Sequence, residues 1–339
     1  MATLAEVAKT AGVSLATASR VLSGSGYRVR VELRQRVLAA ARSLNYVPNA
    51  HAQALVRART HVVGVVTHDV SDPYFAEIVR GVQRVASGAG RLTIICNTYR
   101  DPDREVEYVR LLHAQRVEAI ILAGSGRDDR RYGRKMFAAV EAYLAAGGRL
   151  VVISRHHLPG DAVLPDNFGG ARALAHHLAD LGHRRLAVIS GPPQLTTTRD
   201  RLEGFRQGLR ERGVDLPSEA VLPGDFSRDS GVAAAEELLR RGLPVTAVFA
   251  LNDQMAVGAL SAFRLAGLRV PQDISLAGFD DMAIARDVTP ALTSVRVPME
   301  EMGVRAMEMA LKAPGDELRV LFLPAVVVAR ESTGPPREV

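Results

Sequence analysis

Cysteine occurs once in these 339 residues, at Cys96, so no intrachain disulfide can staple the fold. Its setting, RLTIICN, reads as a buried strand rather than as the surroundings of a reactive thiol. No run of about 18 apolar residues is present to span a bilayer. The opening MATLAEVAKT lacks the basic segment, apolar stretch and small-residue cleavage site of a secretory signal. The expectation is a cytoplasmic protein with no membrane partner. Marks of catalysis are missing too. The GSG at 124–126 is too short for a phosphate loop and has no following Lys and Ser or Thr. There is no GxSxG elbow, and Asp280 and Asp281 are chain neighbours rather than a separated acid–base pair. The pairs His156–His157 and His176–His177 invite a metal, but adjacent helical residues point about 100° apart, and no cysteine cluster supports them. No enzymatic activity, catalytic residue, metal site or cofactor is therefore expected.

What is present is a globular composition, 47% hydrophobic and 24% charged, on a chain long enough for two or three folding units. The net charge of +6 is unevenly placed. The first 60 residues hold nine basic side chains against Glu6 and Glu32, a balance of +7, which leaves the rest of the chain at −1. A basic module attached to a near-neutral body points to a polyanion partner.

That module reads as three short helices. Leu4, Val7, Ala8 and Ala11 recur at helical spacing behind a Thr3–Glu6 capping box, which predicts a first helix over about Leu4 to Ala11. Gly12 stops it, and Ser14 is a natural N-cap for a second helix beginning at Leu15. On that second helix Ala18, Val21 and Leu22 share one arc, while Leu15, Ala16, Ser19 and Arg20 share the opposite one. A third helix, roughly Glu32 to Leu44, offers Leu33, Val37, Ala41 and Leu44 to the same small core. Three helices with a tight turn after the first make a helix-turn-helix, whose second helix enters the major groove of double-stranded DNA. Arg20 can donate two hydrogen bonds to a guanine, Leu15 and Ala16 can pack on thymine methyls, and Thr17 and Ser19 suit phosphate oxygens. Leu15 could instead close the core beside Leu22.

The runs LAEVAKTAGVSLATASRVLSG and RVLAAARSLNYVPNAHAQALVR resemble the DNA-binding headpiece of the LacI/GalR family of bacterial repressors. The resemblance implies that the segment after Pro48 forms a hinge helix only on operator DNA, with a leucine, here Leu55, wedged into the minor groove at the operator centre. Asn49 can cap such a helix, and Ala50, Ala52 and Ala54 are slim enough for the groove. Arg57 and Arg59 then lie near phosphates. The expected DNA contacts are Ser14, Leu15, Ala16, Thr17, Ser19, Arg20, Tyr46, Asn49 and Leu55. One departure is Arg30, which stands where the family usually has a small capping residue, so a weaker start to the third helix is expected and Arg30 becomes available to DNA.

From residue 61 the pattern alternates. VVGVVT, LTIIC, EAIILAG and LVVIS are apolar runs of strand length between helical segments such as FAEIVRGVQRVA and MFAAVEAYLAA, and the alternation repeats with RLAVISG, VTAVFAL and ISLAGFD. Continuous apolar strands joined by amphipathic helices imply parallel sheets covered on both faces, here in two successive α/β lobes. Ligands in such sheets bind beyond the carboxyl ends of strands. Asp69, Tyr74 and Phe75 follow the first strand, Ser154 and Arg155 the fourth, and Asp166 and Asn167 lie at the lobe junction. The second lobe adds Arg201, Phe226, Asn252 with Asp253, and Asp280 with Asp281. Aromatic faces, carboxylates, amides and arginines on one cleft suit a polyhydroxylated or heterocyclic ligand.

GHRRLAVISGP, RLEGF, ALNDQMAVGAL, GLRVPQDISLAGFDD and TPALTSV also resemble the family, in the family's order. The resemblance implies a fold like that of periplasmic sugar-binding proteins, crossed three times by the chain. It divides the sequence into a headpiece over 1–48, a hinge over 49–60, a first lobe over 61–162 plus 293–323, and a second over 163–290 plus 324–333. It also implies that Arg201, Asn252 and Asp280 hold ligand hydroxyls while Tyr74, Phe75 and Phe226 flank a ring; Asp69, Arg155 and Asn167 complete the expected effector set. Ser154 replaces an aspartate of many relatives, and Val297 a polar residue of some. Arg155 and Asp280 lean toward a sugar effector over a purine. The function expected is an effector-controlled repressor binding a palindromic operator as a homodimer. Its alternatives are a solute-binding protein and a purine-responsive regulator of the same fold. The ending STGPPREV has no heptads, so a tetramerising coiled coil as in some relatives is not expected.

Overall fold

The computed structural model of the chain describes residues 2–22, 29–47, 60–313 and 317–337. The chain divides into two compact units. Among the described residues the first contains three helices: α1 (Leu4–Ala11), α2 (Leu15–Leu22) and α3 (Val31–Ser43). The Thr3–Glu6 capping box is formed, and Gly12 ends α1 in the left-handed conformation at φ 61°, which costs glycine nothing. Ser14 Oγ accepts a hydrogen bond from Thr17 N at 3.1 Å and so caps α2. Val7, Ala8, Ala11, Ala18, Val37, Ala40 and Ala41 form the core of this unit, with Val21, Leu22 and Leu44 packed at its edge. Arg30 stands at the N-cap of α3 with no side-chain capping bond.

The second unit carries two six-stranded sheets. The first contains β1 (Val62–Thr67), β2 (Leu92–Asn97), β3 (Ala119–Ala123), β4 (Leu150–Ile153), β5 (Asp161–Pro165) and β11 (Val320–Leu323), in the order β11-β5-β4-β3-β1-β2, all parallel. The second contains β6 (Leu186–Ile189), β7 (Val221–Leu222), β8 (Ala247–Ala250), β9 (Ser275–Asp280), β10 (Thr293–Arg296) and β12 (Val326–Val328), in the order β12-β10-β9-β8-β6-β7. Only β12 runs antiparallel, along β10. Central strands such as β3, β4 and β8 are buried along their whole length because helices cover both faces, which is why they are legible as unbroken apolar runs.

The chain passes between lobes three times: after β5, after β10 and after β11. Two crossings differ in position from the sequence expectation. β5 lies wholly in the first sheet, and Thr293–Arg296 pairs with β9 in the second. The lobes therefore divide near residues 166, 297 and 324, rather than at 162 and 290. An apolar strand fits either sheet, and only its pairing partner decides which. Cys96 is half-buried rather than buried, because β2 is an edge strand.

Helices pack closely where glycines meet backbone. A Cβ on Gly81, in the helix Pro73–Gly88, would stand 2.0 Å from the carbonyl oxygen of Glu300, and one on Gly303, in the helix Met299–Leu311, would stand 2.0 Å from that of Ile78. This reciprocal contact ties the last long helix to the first lobe after the chain has crossed back to it.

Candidate DNA interface and ligand cleft

On α2 the two arcs separate as their spacing requires. Ala18 is fully buried, while Leu15 is 54% exposed and Ala16 and Arg20 are exposed. Leu15 therefore does not close the core. Thr17 and Ser19 are half-buried. Two members of the expected DNA set have other duties: the Ser14 hydroxyl is engaged with Thr17 N and, at 2.9 Å, with Thr17 Oγ1, and Tyr46 packs half-buried against the headpiece core. Asn49, Leu55, Arg57, Arg59 and the rest of the expected hinge over 49–60, apart from Thr60, lie outside the described residues.

Between the lobes of the second unit is a cleft of about 800 Å³, part of it open to solvent. It lies beyond the carboxyl ends of the strands, where the strand order reverses: β1 is flanked by β2 on one side and β3 on the other, and β6 by β7 and β8. Tyr74, Phe75, Arg201, Phe226, Asn252 and Asp280 of the expected effector set line it. Asp69, Arg155 and Asn167 do not. Asp69 is used locally, its Oδ1 accepting from Ser71 N at 2.9 Å, a bond that holds its carboxyl below the usual range. Arg155 pairs with Asp200, with Nε donating to Oδ2 at 3.2 Å. Asn167 is buried behind the cleft and positions Arg201.

Arg201 is the best-anchored group in the cleft. It is 2% exposed. Its Nε donates to Asn167 Oδ1 at 2.9 Å, Nη1 to the Leu251 carbonyl at 2.5 Å and Nη2 to Asp280 Oδ1 at 2.8 Å, while the guanidinium lies 3.8 Å from the centre of the Phe279 ring. Three of the five N–H groups of an arginine are thereby engaged, and two remain for a ligand. Burial pushes the Asp280 carboxyl up to about 6 against the pull of Arg201. Asn252 caps the helix Asp253–Leu265 by accepting from Met255 N at 2.9 Å, and its amide donates to the Phe226 carbonyl at 3.0 Å, so one residue sets both the helix start and the aromatic wall. Beneath them Asp253, fully buried, accepts from Ser294 Oγ at 2.6 Å and Met282 N at 2.7 Å; burial and the nearby Asp280 raise its carboxyl well above the usual range. Tyr74 and Phe75 meet edge to face at 5.0 Å, and burial pushes the Tyr74 phenol up.

Backbone strain gathers at these strand ends. Ser154, Phe226, Asp280 and Asp281 have φ of 75°, 72°, 106° and 54°, and Tyr99 and Arg100 have 51° and 61°. Non-glycine residues adopt such values at a cost, and here they turn the chain at the cleft.

Several lining residues were not anticipated from sequence: His68, Asp72, Thr98, Arg100, Glu105, Ser125, Arg127 and Thr197. His68 directly follows β1 and so carried a strand-end signal; Glu105 lies within a helix and carried none. Burial, with Arg100 nearby, depresses the His68 imidazole to about 4. Glu105 accepts from the Tyr132 hydroxyl at 3.0 Å and is raised to about 7 by burial. At the cleft rim the lobes touch directly. Asp128 N donates to the Gln194 carbonyl at 2.8 Å, Thr196 N to the Gly126 carbonyl at 3.0 Å, and Thr197 N to Ser125 Oγ at 3.0 Å. The paired histidines have separate partners: His156 with the Gly124 carbonyl, His157 with Asp128, His176 with Glu211 and His177 with Thr333. Among the described residues no helix is long and apolar enough to cross a membrane.

These features agree with comparisons to known proteins. Residues 3–49 match the family of bacterial regulatory proteins, lacI family, and residues 175–333 match the periplasmic binding protein-like domain. The chain is 35% identical over 337 residues to the HTH-type transcriptional regulator DegA of Bacillus subtilis, covering 98% of each chain. It is 34% identical to the HTH-type transcriptional repressor PurR of Proteus mirabilis, covering 92% of this chain and 90% of that one. Among solved structures it resembles the lac repressor dimer bound to operator and an anti-inducer, with TM-score 0.85, 29% identity and coverage of 98% and 99%. A complex of the transcriptional regulator CelR with cellobiose aligns at TM-score 0.71 with 34% identity, covering 98% of this chain and 100% of that one. With an exposed recognition helix on a helix-turn-helix unit, two sheets around a polar cleft and this degree of likeness over nearly its whole length, the chain belongs to the LacI family of transcriptional regulators and is not an enzyme.

Proposed function

We propose that this regulator binds a palindromic operator as a homodimer and represses transcription until a sugar occupies the interlobe cleft. The observation that carries the DNA half is the face of α2, where Leu15 stands 54% exposed beside Ala16 and Arg20 while Ala18 behind them is fully buried. A helix that keeps a leucine in water on a slim face has that face to give to a major groove. Two such helices related by a two-fold axis match the symmetry of a palindrome, and the lac repressor relative is a dimer on its operator. The hinge roles of Asn49 and Leu55 belong to this proposal and rest on the resemblance of the sequence.

For the effector, the two remaining N–H groups of Arg201, the Asp280 carboxyl and the Phe226 and Tyr74 rings supply donors, acceptors and flat apolar faces. That combination suits a sugar, and the CelR relative is complexed with one. A ligand touching both walls changes the balance of lobe contacts at the rim, and control follows if one lobe arrangement favours DNA. The protein acts in the cytoplasm, where operator DNA lies.

The test is a thermal-shift panel of mono- and disaccharides, nucleosides and purines, followed by operator binding with each hit, because a ligand of the folded state raises Tm. A sugar that raises Tm in the wild type but not in Arg201→Ala, and that lowers operator affinity, is the expected result. A purine hit would transfer the role to stacking on Tyr74 and Phe75, and a sugar that tightens operator binding would reverse the sign of control. Operator affinity should fall steeply with salt while affinity for a neutral sugar barely moves; DNA binding indifferent to salt and sequence would refute the operator reading.

A further inference from the structure

Within the cleft the arginines are unequally matched. Arg201 faces a carboxylate, the buried Asp280, at 2.8 Å. Arg100 and Arg127, on the first-lobe wall, have no carboxylate at ion-pair distance among the described residues, though each lines the cleft and its mouth. Arg100 donates to the backbone carbonyl of Asp225 and lies 5.2 Å from the centre of the Phe226 ring. The Nε of Arg127 is buried without a hydrogen-bond partner. Arg100 feels the repulsion of Arg127, and more strongly the attraction of the Asp72 and Asp225 carboxylates. The nearby acids are partly withdrawn from them: Asp72 Oδ1 accepts from Tyr74 N at 3.0 Å, Asp225 Oδ1 from Ser227 N at 2.8 Å, and Glu105 Oε2 from the Tyr132 hydroxyl at 3.0 Å. Thr67 Oγ1 and His68 Nδ1, on the same wall, are also buried and without partners.

A neutral hydroxyl can satisfy such atoms one at a time. Two neighbouring guanidinium groups are satisfied together by a group with several lone pairs and negative charge, and the planar fork of arginine matches carboxylate and phosphate oxygens. We propose that the cleft ligand is a carbohydrate bearing an oxyanion, a carboxylate or a phosphate, seated against Arg100 and Arg127. The inference rests on the effector reading above and narrows its ligand class: Arg201, Asn252 and the aromatic walls take the sugar frame, and the first-lobe arginines take the charge.

The experiment is calorimetric titration of the full chain with matched sets, galactose with galacturonate and galactose 6-phosphate, and cellobiose with cellobionate. Each titration is run at low and at physiological salt. A charged member should bind roughly 10- to 100-fold tighter than its neutral parent, the range expected for a charge-assisted contact, and that advantage should shrink as salt rises. Preference for the uronate or the phosphate identifies the oxyanion. Arg127→Gln and Arg100→Gln should each remove most of the advantage that a charged member holds over its neutral parent on the same variant, and Arg127→Lys should keep part of it. Comparison of neutral and charged sugars on the wild type needs no variant to fold. A neutral sugar that binds as tightly as its acid would overturn the inference and leave the effector reading standing. Absence of binding by every carbohydrate, neutral or charged, would remove both.

Discussion

The Arg201–Asp280 pair offers the sharpest quantitative test of the cleft. Both side chains are almost wholly out of water, at 3% and 4% exposure. Arg201→Met keeps the length of the side chain and removes its charge, leaving Asp280 buried without its cation. Removing one member of a buried pair costs about 3–5 kcal/mol, a large fraction of the ~5–15 kcal/mol that holds a domain together. The cost should depend on pH, and its sign follows from linkage. Burial has already raised the Asp280 carboxyl to about 6 in the folded protein. A raised carboxylate weakens the fold above its folded pKa and ceases to do so below its unfolded value. Without Arg201 the folded pKa rises further, so the penalty continues to grow with pH where the wild type has levelled off. Each pH unit in that interval is worth about 1.4 kcal/mol, so the variant should lose roughly 2–3 kcal/mol more at about pH 8 than at about pH 5. The assay is the urea midpoint of the two-lobed unit at both pH values. The double variant Arg201→Met/Asp280→Asn removes the titrating group, so its cost should vary less with pH and at high pH it should be more stable than the single variant. A single-variant cost that is flat with pH, or a double variant no better at high pH, would refute this account of the pair.

Other perturbations separate the remaining parts of the structure. Leu15→Ala and Arg20→Ala should leave the headpiece melting temperature nearly unchanged, since both side chains are exposed. Arg20→Ala should cost about 1–3 kcal/mol at one guanine and relax specificity there; an equal loss on operator and random DNA, measured by fluorescence anisotropy, would make Arg20 a phosphate contact. Gly303→Ala places a Cβ 2.0 Å from the Ile78 carbonyl oxygen and should destabilise the first lobe by ~1–3 kcal/mol or more, read from the urea midpoint. Glu105, raised to about 7 by burial, weakens the fold above that pH and not below its unfolded value. Glu105→Gln should therefore stabilise at alkaline pH by an amount that shrinks as pH falls, and a gain independent of pH in thermal melts would count against a buried, titrating carboxyl.

Features resting on short stretches of chain were legible before any coordinates. The Thr3–Glu6 box, the Gly12 stop, the Ser14 cap and the two arcs of α2 all appear in their expected places. Seven strands announced themselves as apolar runs, six of them because both their faces are covered and edge strand β2 by composition alone, with Leu92 73% exposed. The strands β5, β7, β10, β11 and β12 did not. β7 has only two residues, and edge strand β11 leaves Val320 and Phe322 at 52% and 70% exposure, so neither carries a buried-strand signature.

The cleft was half legible for a related reason. Asn252 lies just beyond β8 and Asp280 ends β9, so strand order placed them, whereas Tyr74 sits in the first turn of the helix after β1 and Phe226 follows β7, which carries no apolar run. Asp69 and Arg155 share that signal, yet a turn amide and Asp200 claim their side chains. Conversely Glu105 and Arg127 reach the cleft from a helix and from a loop beyond β3.

Sequence alone therefore determined the local conformations, the basic headpiece and its two-faced recognition helix, and the α/β alternation, because these depend on spacing and charge within a few turns of chain. Tertiary structure alone decided which sheet received Thr293–Arg296, where the chain crosses between lobes, and that Arg100 and Arg127 share one wall with no carboxylate at ion-pair distance among the described residues. Those outcomes depend on strand pairing and on distances between residues far apart in sequence, to which no local pattern is sensitive.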